Sequence, residues 1–311
     1  MKGRGCNVLR QALRAILQLP ETLPVRLLRL RNRYPPLFVV GAPRSGTTVV
    51  VQHIVNSLEF GYFPNLSKEH PRSCIFCGAL AKVCYRFEPS YESRYGIIDG
   101  PMAPSDGWDI FHRWFPRYDH SQPVRSKQLY ELRNIIRMFE IVFGAPFINK
   151  NNANGPRIGW LSGLFPDALF VSVRRDFTDT VLSVLESRRR HGIGNGEWWG
   201  AAPPQFYDRV FKNDVEQVTY QVWGLDKCIE GSMQTLPPNQ AFKIDYETFC
   251  ERPNELIEWI YESYKRLDVE LQRRGSPAAS FTRSHPALPD REALVREIAG
   301  IRARVEGEAV E

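Results

Sequence analysis

Short apolar runs alternate with longer amphipathic segments along most of the chain. Three runs have the length and composition of buried strands: 37–40, 168–173 and 242–245. Four longer segments have the apolar spacing or the length of helices: 49–58, 157–164, 179–189 and 253–266. Strands that alternate with helices indicate a parallel sheet covered on both faces. We therefore predict an α/β fold built on a doubly wound parallel sheet.

Three stretches interrupt this alternation. Residues 60–145 form a long insertion rich in aromatic residues and arginine, and 191–206 form a Gly/Pro loop with Trp198 and Trp199. This tryptophan pair suggests either a mobile cover over an acceptor or partial burial in the core. The tail 276–311 reads as a linker and a last helix with four apolar residues on one face: Leu294, Ile298, Ile301 and Val305. We predict one catalytic domain over 34–275, preceded by an arm over 1–33.

The positive charge of the chain is concentrated in that arm. The whole sequence has 41 basic and 35 acidic residues, a net charge of +6. The arm holds eight basic residues and one acidic residue, so 34–311 carry 33 basic and 34 acidic residues, a net of −1. Residues 7–18 have the pattern of a basic amphipathic helix, which could pack against the domain or lie on an anionic membrane. The neutral body argues against nucleic acid as a partner.

Cysteine usage and the lack of targeting signals point to the cytoplasm. Six cysteines in 311 residues are too few for a secreted disulfide scaffold. Cys74 and Cys77, with Cys84 and His70 nearby, lack the second half of a regularly spaced zinc site, so we expect reduced thiols and no metal. The sequence has neither an apolar run of the ~20 residues that span a bilayer nor a signal-peptide pattern. We expect a cytoplasmic protein, with membrane association through the arm as an option.

A glycine-containing loop, Gly41-Ala-Pro-Arg-Ser-Gly-Thr-Thr48, follows the first predicted strand and precedes a helix. Backbone N–H groups and the helix N-terminus can surround a phosphate there. The residues predicted to bind it are Arg44, Ser45, Gly46, Thr47 and Thr48. A nucleotide triphosphatase loop with this glycine spacing has Lys where Thr47 stands.

The strand at 168–173 leads into a second candidate anion site. It runs into Arg174-Arg175, whereas a triphosphatase would have an Asp there to help hold magnesium. Arg175 and Ser183 lie eight residues apart around the start of the next helix, so both can contact one anion. Two phosphate sites without a metal ligand suggest a nucleotide with phosphates at both ends of its ribose.

The two loops together carry a resemblance to a known family. Residues 41–48 and 175–183 resemble the paired 5′-phosphosulfate and 3′-phosphate loops of sulfotransferases that use 3′-phosphoadenosine 5′-phosphosulfate (PAPS). Two further stretches are similar to that family: Asn149-Lys150 with Arg157 and Phe165-Pro-Asp-Ala168, and Lys243-Ile-Asp-Tyr246-Glu247 with Pro253. The resemblance covers roughly 37–265. It implies a P-loop-type fold and metal-independent, in-line transfer of a sulfuryl group to a hydroxyl or amine.

The resemblance also suggests a branch of the family and an acceptor class. Family members that act on phenols and steroids have Lys at the position of Arg44, Trp at the position of Val49 and a late Arg-Lys-Gly loop. This sequence has none of the three. It looks closer to bacterial and carbohydrate-type branches. The implied acceptor is a small molecule, a carbohydrate or a lipid.

The resemblance further implies catalytic roles. Arg44, Thr47 and Thr48 are candidates to stabilise charge on the bridging oxygen, and Lys150 matches a lysine that reaches the sulfuryl group. The candidates for the base are Glu69, His70, Asp106 and His112. Some related enzymes use a Glu just after the first helix, which favours Glu69. The alternatives are a P-loop nucleotide kinase or triphosphatase, and a non-catalytic nucleotide-fold protein that docks on membranes through its arm.

Overall fold

A four-stranded parallel sheet forms the centre of the protein. The structure, a computed structural model, describes residues 30–92, 96–115, 126–275, 277–286 and 288–308. The strands are β1 (Leu37–Val40), β2 (Ile148–Lys150), β3 (Leu169–Arg174) and β4 (Ala241–Asp245), in the order β2-β1-β3-β4. Val39 pairs with Lys150 on one side and with Val171 on the other. The doubly wound α/β expectation is confirmed for the parallel sheet and its flanking helices.

Eleven α-helices lie around the sheet within the described residues. They are α1 (Thr47–Ser57), α2 (Asn65–Glu69), α3 (Cys74–Cys84), α4 (Trp108–Phe111), α5 (Ser126–Phe143), α6 (Ile158–Leu164), α7 (Phe177–His191), α8 (Asp214–Gln234), α9 (Tyr246–Glu251), α10 (Pro253–Arg266) and α11 (Arg291–Glu308). Helices α2 to α5 make up the insertion between β1 and β2, so this stretch is largely helical.

Two apolar clusters stabilise the fold. The larger one joins the sheet to α1, α5 and α10, and the smaller one joins α7, α8 and α11. The four apolar residues predicted on one face of the last helix are all buried in the smaller cluster. Full burial of one such side chain contributes about 1.5–3 kcal/mol, so α11 is firmly held against α7 and α8.

The predicted strands all occur, with ends within one residue of the prediction, whereas β2 and α8 were not predicted. Two of the three residues in β2 are polar, so the strand has no apolar run to reveal it. Helix α8 buries apolar side chains and also polar ones, which include Gln217, Thr219 and Gln221. These buried polar residues obscure the apolar periodicity on which the prediction depends.

The described chain starts beside α5. Asn32 Nδ2 and the backbone N–H of Arg33 donate to the carboxylate of Glu140, at 2.9 and 3.0 Å. The amphipathic segment predicted at 7–18 lies outside the described residues. None of the helices in the described part of the chain is long and apolar enough to cross a membrane.

Candidate active site

The loop between β1 and α1 leaves no room for a side chain at two positions, Gly41 and Gly46. Gly46 has a φ of 94°, and a Cβ there would lie 2.3 Å from the ring of Tyr246. A Cβ at Gly41 would lie 2.5 Å from Ser45 Oγ and 2.6 Å from the carbonyl oxygen of Val173. The loop is therefore packed closely against β3 and α9. The N–H groups in the first turn of α1 have no acceptors within the helix and are available to an anion.

Two buried polar atoms in the predicted phosphate loops make no hydrogen bond with the described residues. They are Oγ of Ser45, a residue only 1% exposed, and Nε of Arg175, a residue 7% exposed. Buried polar groups are normally hydrogen-bonded, because an unpaired one costs about 1–3 kcal/mol. Each loop thus holds a buried polar group that an anion could satisfy.

Arg44 connects the two phosphate loops. Its Nε donates to Ser183 Oγ at 3.1 Å, and its carbonyl oxygen accepts a 3.3 Å hydrogen bond from Arg175 Nη1. The Arg175 guanidinium lies over the Tyr246 ring, 5.0 Å from its centroid. Residues that are 139 positions apart in the chain, Arg44 and Ser183, therefore belong to one polar surface.

The segment 281–286 lies over the second loop, which the sequence did not predict. Arg175 Nη2 donates to the carbonyl oxygen of Ser284, and the Ser284 N–H donates to the Tyr246 hydroxyl at 3.4 Å. His285 and Arg291 contact the two carboxylate oxygens of Asp179 at 3.1 and 2.9 Å. Burial opposes ionisation of Asp179, but these hydrogen bonds hold its pKa below the ordinary value. The tail therefore covers one side of the second predicted phosphate loop.

Lys150 ends β2 and faces the first loop. Its Nζ and the Thr48 Oγ1 border the same gap, beside Gly96. Burial lowers the pKa of Lys150, the charge of Asp106 opposes that shift, and the charges of Arg44 and Lys68 add to it. The charge of Lys150 thus interacts with the first predicted phosphate loop through Arg44 and with the insertion through Lys68 and Asp106.

Asp106 is held next to this lysine by contacts on both its backbone and its carboxylate. Asn149 and Asn151, which flank Lys150 and are 2% and 1% exposed, each donate from Nδ2 to the Asp106 carbonyl oxygen at 3.1 Å. The Asp106 Oδ1 accepts from the Trp108 N–H at 3.1 Å and lies 3.4 Å from Lys68 Nζ. Roles for Lys68 and the two asparagines were not predicted, because their partners lie far away in the sequence.

The other three candidate bases are placed differently. Glu69 is exposed at the end of α2, and its carboxylate forms no ion pair with the described residues. His70 follows it at the start of the next turn. The His112 ring packs edge-on against Trp108, with centroids 4.8 Å apart. Of the four candidates, Asp106 has the charge interaction with Lys150.

The loop 191–206 is fixed to α7 and α8 by its own backbone carbonyls. Arg188, which is fully buried, donates to the carbonyl oxygens of Gly194 and Glu197. Gln221 Nε2 donates to those of Trp199 and Ala201, at 2.8 and 2.6 Å. Trp198 and Trp199 are both half-buried against the smaller apolar cluster. These contacts favour partial burial of the tryptophan pair over a mobile cover.

The described residues contain no group of three or more His, Cys, Asp or Glu side chains that could hold a metal ion. Cys74 and Cys77 are buried in α3, and Cys84 is exposed at its end.

Comparison with known proteins identifies a matching family and several similar structures. A sequence model described as a sulfotransferase family matches residues 35–269. Sulfotransferase STF9 from Mycobacterium avium has 16% identity and a TM-score of 0.53, over 89% of this chain and 70% of that chain. Sulfotransferase STF1 from Mycobacterium tuberculosis H37Rv has 14% identity and a TM-score of 0.48, over 92% and 79%. A sulfotransferase from Alicyclobacillus acidocaldarius has 16% identity and a TM-score of 0.43, over 88% and 94%. No curated protein matches the sequence.

Proposed function

This chain belongs to the sulfotransferase family, and we propose that it transfers a sulfuryl group from PAPS to a hydroxyl or amine without a metal ion. The reaction forms a bond between the acceptor atom and sulfur. It breaks the bond between sulfur and the 5′-phosphate oxygen of the donor, which leaves as adenosine 3′,5′-bisphosphate. The proton of the acceptor passes to a base on the protein.

The observation that carries this proposal is the pair of unpaired buried atoms, Ser45 Oγ and Arg175 Nε, one in each loop. Arg44, in the first loop, contacts Ser183 and Arg175 of the second loop. A ligand with one anionic group at each end of a ribose would supply acceptors to both atoms at once. PAPS has this arrangement, and the residues present fit it.

The first loop would stabilise the leaving 5′-phosphate. Backbone N–H groups from Gly46 onward and the side chains of Arg44, Thr47 and Thr48 would donate to its oxygens. Negative charge grows on the bridging oxygen as the sulfur–oxygen bond breaks, and donors that are already in place lower the barrier. Lys150 faces Thr48 across the gap and would stabilise the sulfuryl oxygens from the opposite side.

We assign the base to Asp106. Its carboxylate is on the Lys150 side of the gap, and its loop is fixed by two buried asparagines. A positioned carboxylate that accepts the proton in the transition state typically accelerates transfer by about 10²–10⁴-fold. The resemblance favours Glu69, but the geometry supports Asp106 better, because Glu69 is exposed at the end of α2.

We propose the acceptor and the cellular location only as broad classes. We propose a small-molecule, carbohydrate or lipid acceptor and no nucleic acid, since residues 34–311 carry a net charge of only −1. A cytoplasmic location is supported by the sparse cysteines, and membrane contact through residues 7–18 is supported by the basic amphipathic pattern of that segment alone. Transfer of labelled sulfate from PAPS onto panels of sugars, lipids and phenols would identify the acceptor.

Calorimetry with adenosine 3′,5′-bisphosphate in EDTA tests the cofactor. The wild-type protein should bind it without metal, and Arg175→Ala should weaken binding by about 10- to 100-fold, since a hydrogen bond to a charged group contributes about 1.5–3 kcal/mol. Arg174→Ala is the matched control. Arg174 is exposed and lines a cavity with Asp226, away from the contacts of Arg175. Binding of ATP only in the presence of magnesium would contradict the proposal and support a kinase or triphosphatase.

A further inference from the structure

Gly96 faces the gap between the cofactor loop and the end of β2. A Cβ at this position would lie 3.6 Å from Lys150 Nζ and 3.6 Å from Thr48 Oγ1. No other heavy atom of the described residues, its chain neighbours excepted, comes within 4 Å of that point. Both nearby atoms are hydrogen-bond donors, and both belong to residues that the proposed function places around the transferred group. A side chain at Gly96 would thus enter the space between the two donors.

The segments around Gly96 are fixed by α1 and α2. Gln52, in α1, accepts from the Tyr91 N–H at 3.1 Å and donates to the carbonyl oxygen of Glu92 at 3.2 Å. Asn65, in α2, donates to the carbonyl oxygens of Ile98 and Gly100, at 2.6 and 2.8 Å. Hydrogen bonds to α1 and α2 thus hold Tyr91, Glu92, Ile98 and Gly100, which lie on either side of Gly96 in the sequence.

Backbone conformation alone does not distinguish Gly96 from a neighbouring glycine. Gly96 has a φ of +90° and Gly100 a φ of +105°, so a side chain is strained at either position. A Cβ at Gly100, however, would have no atom within 4 Å. What sets Gly96 apart is the place that its side chain would occupy.

We propose that Gly96 is a specificity-determining residue whose missing side chain leaves room for the sulfuryl group between Lys150 and Thr48. This inference rests on the proposed function. Charge-assisted hydrogen bonds need donor–acceptor distances of about 2.7–2.9 Å, so the sulfuryl oxygens must enter the space that these donors face. A methyl group there would be in ordinary van der Waals contact with both donor atoms. It would clash with neither donor atom in the ligand-free protein and would exclude the sulfuryl oxygens.

The test compares two ligands that differ by this group alone. Adenosine 3′,5′-bisphosphate lacks the sulfuryl group and PAPS carries it, so no acceptor needs to be known. Metal-free calorimetry is done with both ligands on the wild-type protein, Gly96→Ala and the matched control Gly100→Ala. Gly96→Ala should bind the bisphosphate as the wild type does and PAPS about tenfold or more weakly. Gly100→Ala should bind both ligands within about twofold of the wild type.

The outcomes separate this inference from the proposed function. A wild-type protein that binds neither ligand without metal contradicts the proposed function, whatever Gly96 does. If Gly96→Ala keeps the wild-type ratio of the two affinities, whether both are retained or both are lost, the assignment of Gly96 is wrong. Thermal unfolding monitors the fold. If the alanine variants do not fold, Gly96→Asn and Gly100→Asn replace them, because asparagine tolerates a positive φ better than other side chains.

Discussion

The proposed cofactor side and the proposed acceptor side of the site are built in different ways. The cofactor side consists of the loops 41–48 and 175–183, each placed directly after a strand of the parallel sheet. The acceptor side, formed by Lys68, Gly96 and Asp106, belongs to the insertion between β1 and β2. Its residues are held by partners distant in sequence, such as Asn151, which is 45 positions from Asp106. The cofactor side thus follows from local chain geometry, and the acceptor side depends on tertiary contacts.

This difference predicts two separable kinds of variant. The cofactor loops surround an anion with backbone groups and guanidinium groups, so changes there should weaken binding of adenosine 3′,5′-bisphosphate. Acceptor-side changes should reduce turnover and leave that binding intact, because no acceptor-side residue contacts either phosphate in the proposed arrangement. A variant of one side that produces the effect of the other would contradict the comparison.

The largest effect is expected for Asp106→Asn. The amide cannot take the acceptor's proton, so turnover should fall by about 10²–10⁴-fold. Affinity for adenosine 3′,5′-bisphosphate should stay within about twofold. Turnover is measured with an acceptor from the sulfate-transfer screen, and binding is measured by calorimetry.

Glu69→Gln is the matched control for this prediction. It makes the same change of acid to amide, on an exposed side chain at the end of α2. Its turnover should remain near the wild-type value. If Glu69→Gln loses turnover and Asp106→Asn does not, the base is the residue that the family resemblance favours.

Lys150→Met should have the next largest effect. Loss of one preorganised donor to developing negative charge typically costs about 10²–10³-fold in turnover. The bisphosphate should still bind, since the lysine is proposed to contact the sulfuryl group alone. Equal losses of bisphosphate binding and turnover would place Lys150 on the cofactor side instead.

The charge of Lys150 also predicts a pH dependence. Burial lowers its pKa, so the amine loses its proton at a lower pH than an ordinary lysine does. The affinity of the wild-type protein for PAPS should therefore decrease as the pH rises through that pKa, and Lys150→Met should lack this step. Asp106→Asn should move the step to lower pH, because the Asp106 charge opposes the lowering. Calorimetry of PAPS binding across a pH series measures both shifts.

Asn151→Ser should reduce turnover about tenfold. Serine can still accept from the Ala153 N–H, as Asn151 Oδ1 does at 2.9 Å, but it is too short to reach the Asp106 carbonyl oxygen. Loss of a hydrogen bond of about 1.5 kcal/mol corresponds to that factor. In an Asp106→Asn background the substitution should cost nothing further, because Asn151 acts through Asp106.

A control with the same substitution is available in α8. Asn213 accepts from the Glu216 N–H at 2.8 Å at the start of that helix, so Asn213→Ser also shortens a capping asparagine. It is expected to leave turnover unchanged. An equal loss in both variants would mean that Asn151 contributes stability and does not position Asp106.

The proposed cofactor side could be inferred from the sequence because short-range rules determine the geometry of its loops. A strand, a glycine turn and a helix N-terminus are adjacent in the chain, so the anion site at 41–48 could be predicted without any tertiary contact. The placement of Asp106 could not be predicted in this way. It depends on β2, a three-residue strand with two polar residues, and on buried amides whose partners lie more than 40 positions away. Lys68 is recognisable only once α2 is packed beside Asp106.

The smallest effect is expected for Tyr246→Phe, on the cofactor side. The phenylalanine ring keeps the contacts with Gly46 and the Arg175 guanidinium. The hydroxyl contacts with Ser284, at 3.4 and 3.5 Å, and the hydrogen bond with the Cys250 side chain are lost. Hydrogen bonds this long are weak, so bisphosphate affinity should fall only about two- to threefold. Calorimetry measures this change, and the KM for the acceptor should not move. A larger shift in that KM than in bisphosphate affinity would show that the tail over Tyr246 also orders the acceptor side, and the two sides could then no longer be treated as independent.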